Sequence, residues 1–243
     1  MSKKLTKSLR LALTLISFSG CALASPSPLE VLETQYPSLH KLYVEYRSYE
    51  PGLSDYAKRQ GFRRPFELLG TVVHEKIHIA SMVHQGFFID GVYYEPYLKK
   101  EAWPTLTNND VRPHMVPEER GTIYSLYVLN TPGNRLGNVL DEINAYSHVA
   151  AFICKNEPES AEKQTRNLIG LMHLQEAFLR VTRQSRPDEY LKVSNSREVR
   201  GAIQTISTRA VQALRTCGVA DVIIPSRETN YFLLLDKRPP LKR

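Results

Sequence analysis

The sequence predicts an α+β protein that is mostly helical and carries a small antiparallel sheet near the middle of the chain. Apolar and aromatic side chains recur at helical spacing in several long segments. Between two β-rich runs stands Asp90-Gly91, the strongest short sequence signal for a hairpin. No repeat or low-complexity tract follows residue 24, so we expect residues 25–243 to form one domain.

The helices are predicted from apolar spacing and from the prolines and glycines at their ends. Residues 27–48 predict two short helices, because Pro37 interrupts the apolar pattern. A longer helix is expected from Pro65 to about His84, since proline suits a first helical turn and Gly86 lies just past the end. Three further helices are expected at residues 135–154, 158–184 and 196–217.

The remaining segments predict the sheet and its connections. Phe87–Tyr94 is the expected hairpin, and Thr122–Leu129 is rich in the β-branched and aromatic residues typical of a strand. Trp103–Glu119 contains three prolines and predicts an ordered loop. A short apolar segment near Tyr231–Leu235 is expected to pack against the rest of the protein.

The N-terminus predicts export. Four basic residues precede the apolar run Leu11–Ala24, which is the order of a secretory signal, and the run is too short to span a membrane. Ala22-Leu23-Ala24 is typical of a cleavage site, so residues 1–24 are expected to be removed and the mature protein to be periplasmic or secreted. The basic residues are Lys3, Lys4, Lys7 and Arg10.

The charge balance gives no reason to expect a nucleic-acid partner. The 243-residue chain has 32 basic and 25 acidic residues, a net charge of +7. Removal of the four basic residues of the signal leaves 28 basic against 25 acidic residues, a net charge of +3. A nucleic-acid-binding protein usually carries a much stronger basic excess.

A second processing route is possible at Phe18-Ser19-Gly20-Cys21. These residues resemble a bacterial lipobox in which Phe replaces the usual Leu. Cleavage there would leave a lipid anchor on Cys21. Localisation as a lipoprotein is therefore the alternative to plain secretion.

Loss of the signal would leave Cys154 and Cys217 as the only cysteines of the chain. In an oxidising compartment, one disulfide joining the ends of two predicted helices is the simplest interpretation. It would close a loop of about sixty residues and stabilise the fold by about 4 kcal/mol through loop-closure entropy. Two buried free thiols are the alternative.

The predicted helix of residues 65–84 contains His-Glu-x-x-His at His74, Glu75 and His78. A helix turns about 100° per residue, so His74 and His78 project from one face, where two imidazoles can bind one zinc ion. Glu75 then lies beside the open coordination position, where it can accept a proton from the activated water and return it to a leaving amine. This spacing indicates metal-dependent peptide hydrolysis.

With this motif the chain resembles the zincin metallopeptidases. The resemblance implies a zincin-like fold, one zinc ion per chain and a peptide or protein substrate. Zincin helices usually carry uncharged residues between the Glu and the second His, whereas this chain has Lys76. Because Lys76 lies on a different helix face from the imidazoles, we expect its side chain to extend outward to solvent.

Two segments compete to supply the third zinc ligand. Glu142, followed three residues later by the small Ala145, resembles the gluzincin pattern, in which the small residue allows close packing against the first helix. Gluzincins often place an Asp four residues after this Glu, where this chain has Tyr146. The carboxylate that holds a ligand His is then either missing or supplied by Asp141 or another residue. Tyr146 could donate a hydrogen bond to an oxyanion or serve in packing.

His84 is the metzincin-like alternative, because its distance from His78 matches the ligand spacing of that group. The metzincin pattern requires Gly where this chain has Ser81, since the helix must break there in a left-handed conformation. The sequence therefore favours Glu142 as the third ligand.

The expected function is that of an exported zinc-dependent hydrolase, a metallopeptidase, with His74, His78 and Glu142 as zinc ligands and Glu75 as general base and acid. The hairpin and the strand at 122–129 could form a sheet whose edge takes an extended peptide by strand addition. The alternative is a non-catalytic periplasmic or secreted binding protein with a structural or vestigial metal site, or with none.

Overall fold

A computed structural model describes residues 25–117, 120 and 123–219 of the chain. These residues are mostly helical and include one two-stranded antiparallel sheet. The predicted signal with both processing sites, and the segment Tyr231–Leu235, lie outside the described residues. Within the described ranges, no helix is both long enough and apolar enough to cross a membrane.

The predicted helices are confirmed, and the structure adds shorter ones. Ser27 caps the first helix by accepting a hydrogen bond from the backbone N–H of Glu30 at 3.3 Å, and Pro37 opens the second helix. Helices α3 and α8, and the short α5 inside the predicted loop, were not predicted. The helices are α1 (Pro28–Gln35), α2 (Pro37–Glu45), α3 (Glu50–Arg59), α4 (Pro65–His84), α5 (Asn108–Val111), α6 (Leu136–Asn156), α7 (Ala161–Ser185), α8 (Pro187–Asn195) and α9 (Arg197–Thr216).

The predicted hairpin is confirmed directly after α4. Its strands are β1 (Phe87–Ile89) and β2 (Val92–Tyr94), which pair antiparallel. Asp90 and Gly91 between them have φ angles of 51° and 90°. A two-residue type I′ turn requires positive φ at both positions, and Asp-Gly is among the sequences that adopt them most readily.

The prediction of a strand at 122–129 is wrong. The segment Tyr124–Leu129 forms a π-helix, with Val128 buried in the core and Leu126 exposed to solvent. Strand propensity reflects how well a side chain fits a half-buried surface, and tertiary packing can override it. The described sheet consists of β1 and β2 alone, so this segment adds no strand to an edge that could bind a peptide.

Helices α4 and α6 pack closely against each other, and this contact positions the site. A Cβ at Gly70 of α4 would lie 2.6 Å from the side chain of Ile153 of α6, so any larger residue at this position would force Ile153 to shift. Ala145 of α6 is completely buried in one core cluster with Val73 and Ile77 of α4. Ala145 therefore lies in the contact between α4 and α6, where a small residue was expected to allow close packing. Polar residues on the adjoining faces of the two helices can meet because the backbones approach so closely.

Two links fix the C-terminal end of α6. The Glu157 carboxylate accepts hydrogen bonds from the backbone N–H groups of Phe66 at 3.1 Å and Glu67 at 2.9 Å, which caps the start of α4. Cys154 and Cys217 are joined in the predicted disulfide, with 5.1 Å between their Cα atoms. The disulfide ties the end of α6 to the end of α9.

Candidate metal centre

Three side chains from α4 and α6 converge on one point. His74 and His78, one turn apart on α4, bring their Nε2 atoms within 3.1 Å of each other. Glu142 of α6 places Oε2 3.4 Å from Nε2 of His74 and 3.6 Å from Nε2 of His78. Among the described residues, these three form the one group of His, Cys, Asp or Glu side chains that could hold a metal ion.

The spacing of the three atoms fits a tetrahedral metal ion. Atoms bound to zinc at about 2.0–2.2 Å with tetrahedral angles lie roughly 3.3–3.6 Å apart. The observed separations of 3.1, 3.4 and 3.6 Å are close to that range. Two imidazole nitrogens and one carboxylate oxygen are also a ligand set of catalytic zinc sites, which keep a fourth position for water or substrate. The group is therefore suited to bind a metal ion.

Asp141 orients His78. Its Oδ2 lies 2.7 Å from Nδ1 of His78 and accepts a hydrogen bond from the Tyr97 hydroxyl at 2.9 Å. When Nδ1 donates to this carboxylate, the Nε2 lone pair of neutral His78 is free to bind a metal ion. The sequence left open which residue would hold a ligand histidine, and the structure places Asp141 in that position.

The carboxylates make the centre favourable for positive charge. Burial lowers the pKa of His78, but the charges of Asp141 and Glu142 outweigh burial and hold that pKa well above its usual range. Burial raises the pKa of Glu142, but hydrogen bonds with His74 and His78 outweigh it and hold that pKa well below its usual range. A cation placed between these side chains, whether a proton or a metal ion, is therefore stabilised.

Two tyrosines flank the convergence point. Tyr127, from the π-helix, donates its hydroxyl to Oε2 of Glu142 at 3.1 Å. The ring of Tyr146 packs edge-on against the ring of His74, with 4.6 Å between the ring centroids, and its hydroxyl accepts a hydrogen bond from Asn167 at 3.4 Å. Burial raises the pKa of Tyr146 to about 12, so its hydroxyl stays protonated at neutral pH.

Glu75 lines a cavity of about 310 Å³ beside the metal centre. His74, Tyr127 and Tyr146 line the same cavity. The side chain of Glu75 is partly exposed, so its carboxylate can exchange a proton with a molecule bound there. The residue predicted to act as general base therefore lies next to the candidate ligands and faces accessible space.

His84 does not join the metal centre. Helix α4 continues through Ser81, whose buried hydroxyl accepts a hydrogen bond from the backbone N–H of Phe88 at 3.1 Å. The exposed ring of His84 stacks on Tyr93 with 3.9 Å between centroids and lies 3.8 Å from the Glu45 carboxylate. Because the helix does not break at Ser81, the metzincin-like alternative has no support in this geometry.

The prediction that Lys76 extends outward is wrong. Its side chain is completely buried. The ammonium group donates to the backbone carbonyl of Tyr43 at 2.9 Å and lies 3.6 Å from the centroid of the Tyr43 ring. Tyr43 is near the C-terminal end of α2, where a cation also interacts favourably with the helix dipole. Burial lowers the pKa of Lys76 to about 8. Lys76 therefore links α4 to α2.

Two residues at the site escaped sequence reasoning. Tyr127 was assigned to a strand, and nothing in its neighbourhood indicated that it would reach Glu142. Tyr97 was not predicted to contact Asp141, because the loop that carries it has no pattern that would place it. Both contacts join segments that are distant in sequence, which local periodicity cannot detect.

Comparison with known proteins identifies no relative of this chain. No protein-family model matches it, and neither a curated protein nor a solved structure matches it. Its function must therefore be inferred from the chemistry of its own residues.

Proposed function

We propose that the protein is an exported zinc-dependent hydrolase of the zincin type, and that it cleaves peptide bonds. The proposal depends on one observation, the convergence of His74, His78 and Glu142 at zinc-ligand spacing beside a cavity that Glu75 lines. A structural zinc site is normally closed by four protein ligands, whereas three ligands leave one position for water or substrate. The ligand count therefore favours a catalytic ion.

Each side chain of the site has its own role in the proposed hydrolysis. When bound, zinc supplies a Lewis acid that polarises a carbonyl and lowers the pKa of a coordinated water. Asp141 keeps Nε2 of His78 directed at the metal position. Glu75 accepts the proton of the attacking water and returns it to the leaving amine nitrogen. The Tyr146 hydroxyl accepts from Asn167, which leaves its own proton available for the oxyanion of the substrate.

The metal content of the mature protein is the first test. Protein purified without chelator or tag metal should contain about one zinc per chain by elemental analysis. The double variant His74→Ala, His78→Ala should contain none. Glu142→Ala should bind zinc far more weakly, whereas His84→Ala is the matched control and should bind zinc normally. No zinc in the unaltered protein, even after incubation with the metal, would refute the proposal.

Hydrolysis of a peptide mixture tests the role of Glu75. Glu75→Gln should keep its zinc and lose activity by about 10²–10⁴-fold, because the ligands stay and only the proton acceptor goes. Retained activity in this variant would refute the mechanism. A zinc-loaded protein that cleaves no peptide would favour the non-catalytic binding protein with a structural or vestigial metal site.

A further inference from the structure

The position of Glu75 determines which part of a peptide the cavity receives. In the proposed reaction Glu75 returns a proton to the leaving amine, so this nitrogen must come within hydrogen-bond distance of its carboxylate. The fragment attached to that nitrogen is the part of the peptide C-terminal to the scissile bond. A cavity that Glu75 lines therefore receives the leaving fragment.

The cavity is small and partly apolar. Its volume of about 310 Å³ lies at the low end of the range of roughly 300–1,000 Å³ for small-molecule sites. This volume suits a fragment of one or two residues. Helix α6 and the segment at the π-helix supply an apolar lining for a hydrophobic side chain, consisting of Ile123, Leu126, Val149 and Ile153.

Helix α7 supplies the charged part of the lining, Lys163 and Arg166. Lys163 already has partners within the protein. Its Nζ lies 3.4 Å from the largely buried Glu67 carboxylate and 3.9 Å from the Phe62 ring centroid. Arg166 is 3.6 Å from Glu162, and the two side chains are 54% and 87% exposed. An ion pair this exposed contributes little stability, so the Arg166 guanidinium can exchange Glu162 for the carboxylate of a bound molecule.

Gln164 adds an unsatisfied acceptor to the same lining. It is only 4% exposed, and its Oε1 has no hydrogen-bond partner within the described part of the chain. A buried acceptor without a donor costs free energy. A turn of the Gln164 side chain toward the cavity would let an N–H group of a bound molecule satisfy it. A carboxylate and an N–H group are the polar groups that the C-terminal end of a peptide offers.

We propose that this cavity binds the C-terminal end of a peptide, with its carboxylate on Arg166 and its apolar side chain against α6. The enzyme would then release short C-terminal fragments, one or two residues long. This inference depends on the proposed function, because the leaving fragment is defined by the proton transfer from Glu75. The chemistry recognised is a carboxylate on the leaving fragment, which either the chain terminus or an acidic side chain could carry.

Paired N-acylated Gly-Phe peptides, one with a free carboxylate and one with a C-terminal amide, test this inference on the zinc-loaded protein. We expect kcat/KM to be about 10-fold higher or more for the carboxylate, and Arg166→Gln to reduce the ratio to about 1. Glu162→Gln removes the ion pair but keeps the guanidinium, so it is the matched control and should retain the preference. Equal hydrolysis of the two peptides by the unaltered protein would overturn the inference.

A second pair of peptides distinguishes the two sources of the carboxylate. Both end in an amide and carry either Glu or Gln at the leaving position. We expect equal rates for this pair, since the proposed ligand is the chain terminus. Faster hydrolysis of the Glu peptide would overturn that assignment and identify an acidic side chain as the ligand of Arg166.

Binding without hydrolysis separates failure of this inference from failure of the proposed function. Phenylalanine and phenylalaninamide, titrated into the zinc-loaded protein by calorimetry, stand for the two leaving fragments. A preference for phenylalanine that disappears in Arg166→Gln would support the carboxylate site even if no peptide is cleaved. The absence of such a preference, including the absence of binding, would refute the site while leaving any observed peptidase activity in place.

Discussion

Helix α6 presents two pairs of polar side chains, and the two pairs have different partners. Asp141 and Glu142 meet the imidazoles of α4 at the metal centre. Asn144 and His148, further along the helix, both lie at hydrogen-bond distance from the carbonyl of Phe88 in the hairpin, at 2.9 and 3.0 Å. We refer to the part of α6 that meets the metal centre as the metal face and to the part that meets the hairpin as the hairpin face.

The two faces show how the group opposite a buried histidine determines its chemistry. On the metal face, carboxylates hold the pKa of His78 above its usual range despite burial. On the hairpin face, burial lowers the pKa of His148 to about 3, with the nearby charge of Arg209 acting in the same direction. His78 therefore lies where a cation is stabilised, whereas His148 is a neutral donor that holds the hairpin.

The largest expected effect comes from removing the disulfide that anchors the C-terminal end of α6, the helix that carries both faces. The variant Cys154→Ala, Cys217→Ala should unfold at lower urea concentration, with a loss of about 4 kcal/mol, because the bridged residues are 63 positions apart. We expect its zinc content to stay at the level of the unaltered protein, since neither cysteine contacts the metal centre.

Reduction of the unaltered protein is the control for this variant and should lower its stability by the same amount. Loss of zinc together with the disulfide would show that the metal face depends on the anchoring of α6. A stability change below about 1 kcal/mol would contradict the bridge itself.

Much of the framework around α6 follows from local sequence signals. Pro65 and the apolar spacing predict α4, and Asp90-Gly91 predicts the hairpin, because each depends on neighbouring residues alone. The strand prediction for the segment 124–129 is wrong because β-branched and aromatic side chains suit any half-buried surface, and a strand is only one such surface. The π-helix depends on how that segment packs against the core, and this packing cannot be predicted from the sequence of the segment alone.

The candidate site also has a part that the sequence predicts and a part that it does not. The one-turn spacing of His74 and His78 is visible in the sequence, and Glu142 was favoured over His84 because Ser81 stands where a helix break would require Gly. The burial of Lys76 was not predictable from its helix face, because the surface that covers it belongs to α2, more than thirty residues earlier in the chain. Contacts between distant segments, such as that of Tyr97 with Asp141, are fixed only when the whole chain has folded.

Asp141 provides the next test, which compares the two faces directly. Asp141→Ala should weaken zinc binding by about 10–100-fold, the usual effect of removing the partner that orients a ligand histidine. Asn144→Ala, on the hairpin face, is the matched control. It should leave zinc affinity unchanged and lower stability by about 1 kcal/mol through the lost hydrogen bond to Phe88.

Competition with a chelating dye measures both zinc affinities, and urea unfolding measures the stabilities. Equal losses of zinc affinity in the two variants would contradict the division into two faces. An unchanged affinity in Asp141→Ala would contradict the orienting role of this carboxylate.

The smallest expected effect is the pH dependence of stability that His148 contributes on the hairpin face. The pKa of His148 is lowered to about 3 in the folded protein, while the unfolded chain has the usual value near 6.5. Below pH 6.5 the unfolded state therefore binds a proton that the folded state does not, and stability falls as the pH falls.

Between pH 7 and pH 5.5 this difference amounts to about 1 kcal/mol. Urea unfolding at the two pH values should show that loss in the unaltered protein beyond the loss in His148→Gln, whose amide can still donate to the carbonyl of Phe88. His84→Gln removes an exposed imidazole instead, and it should keep the full pH dependence. If His148→Gln and the unaltered protein lose stability equally, His148 takes up a proton in the folded state. The hairpin face would then tolerate a buried positive charge, and the contrast with His78 would have to come from the orientation of the imidazoles rather than from their charge.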